Sequence, residues 1–329
     1  MVELIAILFI AFFADLFIGD PRYRYHPIRI IGHSISLLEK FLRKMGFAGR
    51  AGGLFLVIII EVAFIILYLA ASINLQGVHP LLGMFFDLYI CYSCLAIGDL
   101  IKHIKPVIYA LESGSLTTAR KSIAMVVGRD VRFLDEKGVC RAAVETLAEN
   151  FVDGFLSPLF WCLMGAVLAN FLGLSPVKTA MSSMLVFKIA STLDSMVGYR
   201  NPEYIDFGLT GARMDDIMNF FPARFSLIIL FIGAGISGYR PVRGLKVALR
   251  DRLKHDSPNS AHAESFVAGA LDIRLAGPVK YPDALKNKPW LARGNPDPTT
   301  AHIKKTVRLV KHSACVAVAI SLFALFLLV

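Results

Sequence analysis

The chain has 329 residues, 56% of them hydrophobic and 18% charged, and a formal net charge of +10. That apolar share exceeds what a soluble domain usually carries, and the apolar residues are bunched into runs long enough, or nearly so, to cross a hydrocarbon layer of about 30 Å. A lipid bilayer is the partner these runs imply; the basic excess is confined to a few segments, calls for no nucleic acid, and is compatible with an anionic lipid surface and with anionic substrates.

In chain order, residues 2–19 form the first apolar run. Its start lacks a basic n-region, Glu3 being the one charged residue there, and no small-x-small cleavage site follows, so a retained helix is expected and not a secretory signal. The loop "GDPRYRYHPIRIIG" comes next, and residues 34–44 predict an amphipathic helix along the interface. Spans over 53–71 and 81–97 make a hairpin around 75–80. Residues 100–149 predict helix that flows into a span over 155–172. Residues 181–195 carry Lys188 and Asp194 and should face protein or a polar cavity. Residues 225–236 are short, residues 239–311 are polar and rich in Pro and Gly, and a last span covers 313–329. The fold class expected is all-α: a polytopic integral membrane protein with about five to seven membrane helices, one membrane domain over residues 1–329. No internal repeat or low-complexity tract is evident.

Thirty of the 35 basic residues fall in three segments: seven in 20–50, eight in 101–150 and fifteen in 240–312. The positive-inside rule makes 20–50, 100–153 and 240–312 cytoplasmic loops of a cell-membrane protein whose N-terminus faces out. Simple alternation does not close if 181–195 and 225–236 both cross, so one is expected to be re-entrant, the shorter 225–236. Cys91 and Cys94 form a C-x-x-C inside an apolar helix without a second pair, which reads as small residues packing between helices.

Four stretches, besides the first loop, carry residues suited to chemistry. "VETLAENFVDGFLSP" sets Glu145, Glu149 and Asp153 at i, i+4 and i+8, one stripe of a helix, with Pro158 kinking or starting a helix. "STLDSMVGYRNPEYIDFG" offers Asp194, then a turn with Tyr199, Arg200 and Tyr204, suited to a planar or anionic ligand. In "TGARMDDIMNFFPAR", Asp215, Asp216 and Asn219 share one helical turn and are oxygen ligands of the kind Mg²⁺ takes, with water and substrate phosphates completing its shell. Arg213 and Arg224 flank them, either as partners of the acids or as bidentate phosphate and carboxylate binders. The first loop adds Asp20, His26 and Arg29, stiffened by Pro21 and Pro27. The last segment, "HDSPNSAHAESFVAGALDIRLAGP", adds His255, Ser257, Asn259, Ser260 and Glu264. No Walker A, Rossmann, G-x-S-x-G or H-E-x-x-H pattern is present. Magnesium-assisted handling of a phosphorylated substrate follows from these residues; the reaction itself does not.

The four stretches, with "GDPRYRYHPIRIIG", resemble in order the motifs of adenosylcobinamide-phosphate synthase, the membrane amide synthase family of cobalamin assembly, over most of the chain from Asp15 to beyond Pro278. The resemblance implies ATP- and Mg²⁺-dependent joining of adenosylcobyric acid to (R)-1-aminopropan-2-ol phosphate or ethanolamine phosphate. On that basis Asp215 and Asp216, helped by Asp194 or Asp153 and Asn219, are expected to hold Mg²⁺ on the ATP phosphates. Arg29, Arg213 and Arg224 would neutralise phosphate or the corrin carboxylate. His26 or Glu149 would take the amine's proton, and Tyr199, Arg200, His255, Ser257 and Asn259 would contact substrate. Two positions depart from the family pattern, Ala261 after "SPNS" and Ala276 in "LAGP", where glycine is expected. A related membrane sensor of β-lactamase induction is the rival reading, and it should lack the acidic and SPN residues kept here. A membrane prenyltransferase would want two Asp-rich motifs, and a secondary transporter a repeat. A homo-oligomer is compatible with the sequence, which leaves oligomeric state open.

Overall fold

The structure, a computed structural model, describes residues 1–19, 23–128, 130–280, 285–286 and 288–329. Asp20 and Pro21 of the first loop lie outside the described residues. In chain order the helices begin with α1 (Val2–Ile18), α2 (Pro27–Lys44), α3 (Arg50–Val78), α4 (Pro80–Cys94), α5 (Ile97–Glu112), α6 (Leu116–Ile123) and α7 (Glu136–Phe151). A π-helical turn at Val152–Leu156 leads into α8 (Ser157–Leu172), then α9 (Pro176–Val197), α10 (Leu209–Met218) and α11 (Phe220–Ile236). The chain continues through α12 (Pro241–Asp251) and α13 (Ser260–Ala270) to α14 (Thr300–Phe326). Two short antiparallel strand pairs precede α14: β1 (Leu275–Ala276) with β4 (Trp290–Leu291), and β2 (Val279–Lys280) with β3 (Leu285–Lys286).

Local chemistry explains where the helices start. Pro27, Pro80, Pro176 and Pro241 stand at the first helical positions of α2, α4, α9 and α12, where the missing N–H costs nothing and the fixed φ suits the helix. His26, His79 and Ser175 cap three of these by accepting a backbone N–H, and Asp135 does the same for α7. The π turn sits where Pro158 cannot donate and would crowd the carbonyl four residues earlier, and the looser turn relieves that clash. It has a consequence for the acidic stripe: Glu145 and Glu149 share a face of α7, but Asp153 lies within the π turn, where the wider winding breaks the α-helical phase. The straight run of three acids expected from spacing is therefore a pair plus one.

Among the described residues, five helical stretches are long and apolar enough to cross a membrane: Arg50–Val78, Pro80–Glu112, Glu136–Leu172, Leu209–Ile236 and Thr300–Phe326. The chain is a multi-pass, all-α membrane protein. The segment 225–236, expected to be re-entrant, is the end of the 28-residue stretch Leu209–Ile236, so length now favours a crossing there. Helix α9, with Lys178, Lys188 and Asp194 along it, is not among the five, and neither is the 17-residue α1, where the first span was expected. The segments expected as loops are substantially helical: α2 fills most of 20–50, α5 to α7 most of 100–153, and α14 begins at Thr300, thirteen residues before the expected span. Cys91 and Cys94 are fully buried and unbridged, as small packing residues should be.

Contacts divide the chain into two units. The first comprises Met1–Ala96, Ser157–Asn219 and Val318–Val329. Its core joins Ile31 and Ile35 of α2, Leu56, Val57 and Ile60 of α3, and Ile189, Leu193 and Val197 of α9 around Phe207. Close backbone approach tightens it: a Cβ on Gly53 would sit 1.8 Å from the Phe207 carbonyl oxygen, so only glycine admits the 198–208 turn against α3. The same unit buries a polar knot. Asp87 of α4, 1% exposed, accepts from Tyr68 Oη at 2.8 Å and Ser72 Oγ at 2.6 Å and pairs with Lys178 Nζ of α9 at 2.9 Å.

The second unit comprises Ile97–Leu156 and Phe220–Ala317. At its centre α13 is buried along the whole run from Ala261 to Ala270, packed by α7, α11 and α12. Asp251, at the end of α12 and fully buried, ties that end down. It accepts from Arg250 Nε at 2.9 Å, Lys254 Nζ at 2.6 Å and the Ala292 amide at 2.8 Å. Burial alone would push its carboxyl up, but these donors outweigh burial and hold it at about 2.

Candidate functional site

In the first unit the expected metal-binding residues lie toward the ends of α9 and α10, two helices that pack together. Asp194 lies in the last turn of α9, and a Cβ on Gly198 would fall 2.0 Å from its Oδ1, so the carboxylate rests against bare backbone. Asp215 and Asp216 are adjacent near the end of α10, both half-buried. Arg213 and Arg200 are within electrostatic reach of Asp216. Tyr199 is 52% exposed, its ring 6.1 Å from that of Tyr204.

Asn219 has a different place from the one expected. It is 1% exposed, its Oδ1 accepts from Ser157 Oγ at 2.6 Å, and its Nδ2 donates to both Asp215 oxygens at 3.1 Å. Its side-chain oxygen is thus engaged by Ser157, and the geometry gives it the work of orienting Asp215 in place of ligating a metal. Ser157 follows the π turn directly. His26 is also structural where it stands: 3% exposed, it caps α2 with Nδ1 accepting from the Ile28 amide at 3.3 Å, its ring edge-on to Tyr23. Its Nδ1 lone pair is engaged there, which takes that nitrogen out of the proton transfer expected of it. Arg29, three residues on, is exposed on α2.

In the second unit the Ser-Pro-Asn loop and α7 build another constellation. Glu149 accepts from Ser260 Oγ at 2.9 Å, and Glu145, 9% exposed, accepts from the Ala276 amide at 2.7 Å. Local turns wind the loop: the Ser257 amide donates to His255 Nδ1 at 3.0 Å, and the Asn259 amide to Ser257 Oγ at 3.2 Å. Burial, then Lys288, push the His255 imidazole below its ordinary value, with Glu149, Asp256 and Glu145 partly offsetting them. Asn259 Oδ1 accepts from an Arg224 terminal nitrogen at 3.4 Å. Asp153, half-buried, belongs to this unit through the π turn.

Of the two departures, Ala261 sits inside α13, where no positive φ is needed. Ala276 does adopt a φ of 57°, a conformation that suits glycine, while its amide is held by Glu145.

Sequence reasoning missed three contributors. Ser157 was hidden because its partner is 62 residues away. His262 of α13 is fully buried, with Nδ1 on the Asn259 carbonyl at 3.1 Å. Arg252 was one basic residue among the fifteen of 240–312. A histidine in a run of small residues, seven after His255, was the one signal in the sequence. Among the described residues no group of three or more His, Cys, Asp or Glu side chains gathers as a metal cage.

The comparisons with known proteins agree with one another. The family model described as "CobD/Cbib protein" matches residues 8–310. The chain is 39% identical over 286 residues to a protein of Pelobacter propionicus named "Cobalamin biosynthesis protein CobD", covering 87% of this chain and 84% of that one. It is 35% identical over 315 residues to the protein of that name from Klebsiella pneumoniae, covering 94% of each. To "Cobalamin biosynthesis protein CbiB" of Salmonella typhimurium it is 36% identical over 323 residues, covering 96% of this chain and 95% of that one. No solved structure matches. A family match over nearly the whole chain, with relatives above 30% identity at almost full length, means that this protein belongs to the CobD/Cbib family.

Proposed function

We propose that the protein is an enzyme of cobalamin biosynthesis that forms an amide between adenosylcobyric acid and (R)-1-aminopropan-2-ol phosphate, or ethanolamine phosphate, at the expense of ATP. The observation that carries the reading is the retention, in a CobD/Cbib chain, of both polar constellations: Asp194, Asp215 and Asp216 in one unit, and Glu149, His255, Ser257 and Asn259 in the other. A non-enzymatic sensor would have no use for them.

Amide formation from a carboxylate is uphill in water, so the carboxylate must first be activated by a phosphoryl group. Oriented positive charge around the transferring phosphoryl lowers that barrier. The donor set fits magnesium: two half-buried carboxylates with no third His, Cys, Asp or Glu to close a cage suit an ion that takes one or two carboxylates and keeps water and phosphate oxygens. Asp215, oriented by Asn219, and Asp216 would hold it directly, with Asp194, outside that pair, reaching it through bound water. Magnesium, when bound, supplies neutralisation of the phosphate charge. Arg213 and Arg200 supply more of it beside Asp216. In the other unit Glu149, hydrogen-bonded to Ser260, would receive the amine's proton. ATP is a cytoplasmic co-substrate, and the basic segments belong on that face.

The test is turnover by detergent-purified protein supplied with adenosylcobyric acid, ATP, Mg²⁺ and, in turn, aminopropanol phosphate, ethanolamine phosphate and free aminopropanol. Corrinoid amide and ADP released with one amine are expected. Folded protein that forms no product with any of the three refutes the reaction. Unchanged turnover and magnesium dependence in Asp215→Ala and Asp216→Ala refute the metal assignment.

A further inference from the structure

Three helices of the second unit bring Arg224, expected from the sequence to meet phosphate or carboxylate, together with two polar groups, Arg252 and His262, to which no role has been given. Arg224 projects from α11, Arg252 stands just past the end of α12, and His262 lies in the first turn of α13. The two guanidinium groups are near enough to repel one another, and His262 lies within reach of both. Among the described residues neither arginine pairs with a carboxylate, and Arg252 Nε is buried without a hydrogen-bond partner. His262 is fully buried; its Nδ1–H donates to the Asn259 carbonyl, which leaves Nε2 as a bare acceptor that is also buried and unpartnered. Arg224 donates from one terminal nitrogen to the Phe220 carbonyl at 2.6 Å and to Asn259 Oδ1 at 3.4 Å, which orients that guanidinium.

Each feature is costly in an empty site. Like charges in partial burial repel, and a buried donor and a buried acceptor without partners each forfeit the hydrogen bonds that water would give them. A ligand that presents anionic oxygens to the arginines and an N–H or O–H to the imidazole relieves all of these costs at once. Burial, then Arg224, hold His262 at about 4, so it stands neutral at physiological pH and Nε2 is free to accept.

We propose that Arg224, Arg252, Asn259 and His262 form the binding site for the phosphate monoester of an amino alcohol, the phosphate lying on the two arginines and the amino group donating to His262 Nε2. The inference deepens the reading above and rests on it for the identity of the amine. ATP carries its O–H and N–H donors on ribose and adenine, away from the terminal phosphate, whereas an amino-alcohol phosphate has its amine two carbons from the ester oxygen, which is why it is chosen over ATP. Arginine suits the task because its planar fork meets phosphate oxygens in pairs.

The experiment is calorimetric titration of the full chain in detergent with inorganic phosphate, ethanolamine phosphate and ATP, for the wild type, Arg252→Gln, Arg252→Lys, His262→Asn and the exposed control Lys246→Gln. Asparagine at 262 keeps a donor where Nδ1 stands and removes Nε2, so the contact with Asn259 survives. Arg252→Gln should weaken both phosphate and ethanolamine phosphate by about tenfold or more, as expected for loss of a charge-assisted hydrogen bond. Arg252→Lys should keep part of the phosphate affinity, and Lys246→Gln all of it. His262→Asn should weaken ethanolamine phosphate by about tenfold and leave inorganic phosphate unchanged. Unchanged affinities in Arg252→Gln and His262→Asn overturn the site even if the wild type makes the amide. Phosphate binding that depends on Arg252, in protein that makes no amide, supports the site and sinks the reaction. ATP binding that depends on Arg252 while ethanolamine phosphate binding does not overturns the ligand assignment.

Discussion

Removing the lysine from the buried pair Asp87–Lys178 tests whether the packing of α3, α4 and α9 is held by charge. In Lys178→Met the apolar stem is kept and the ammonium is lost, leaving a carboxylate that is 1% exposed. Deleting one partner of a buried ion pair typically costs about 3–5 kcal/mol. Here Tyr68 and Ser72 still donate, at 2.8 and 2.6 Å, and hydrogen bonds to a charged acceptor are each worth about 1.5–3 kcal/mol. The loss should therefore fall at the low end, about 3 kcal/mol. Asp87→Asn in the Lys178→Met background removes the stranded charge and keeps an acceptor for the hydroxyls, so it should recover about 2 kcal/mol of that loss. The assay is a double-mutant cycle on reversible unfolding in mixed micelles. A Lys178→Met loss below about 0.5 kcal/mol, or strict additivity of the two changes, would refute the argument, because it would mean that the pair is as well hydrated as a surface one.

Three further outcomes are expected. Gly198→Ala should displace the Asp194 carboxylate, since the new methyl would fall 2.0 Å from its Oδ1; turnover should drop with a raised magnesium requirement, and unchanged magnesium dependence would separate Asp194 from the metal. Ala276→Gly should be neutral or stabilising by up to about 1 kcal/mol, because the relief of a left-handed alanine exceeds or matches the added chain entropy; a loss of more than that in thermal unfolding would contradict the φ of 57°. His262, held at about 4 by burial and then by Arg224 against an ordinary 6.5, carries its proton more readily in the unfolded chain. Stability should therefore fall as pH drops from 6.5 toward 4, by roughly 3 kcal/mol in all, and level off below. His262→Asn should flatten that slope, and a slope that survives the substitution assigns it elsewhere.

The candidate site was only partly legible. Asp215 and Asp216, Glu149, His255, Ser257 and Asn259 stood out because residues of unusual cost in an oily chain occur in compact motifs, and the local turns they form are written in neighbouring positions. His26 was legible as a chemically able residue but not as a cap, since the capping bond depends on the chain direction before Pro27. Asn219 was taken for an oxygen ligand because its type and spacing allow it; its true partner, Ser157, comes from another helix.

From the amino-acid order alone come the apolar spans, the class of fold, the three basic segments, the proline-led helix starts and the family motifs. All of these are set by hydropathy over a window or by chemistry within a few residues. Tertiary structure alone decides the rest: the π turn that takes Asp153 out of phase, the pairing of Asp87 with Lys178 across 91 residues, and the meeting of Arg224, Arg252 and His262 from three helices. In a bilayer, apolar surface drives a segment into the membrane but does not choose its neighbours. That choice is made by close packing of small residues and by the need of each buried polar group for a partner, and neither can be read from distance along the chain.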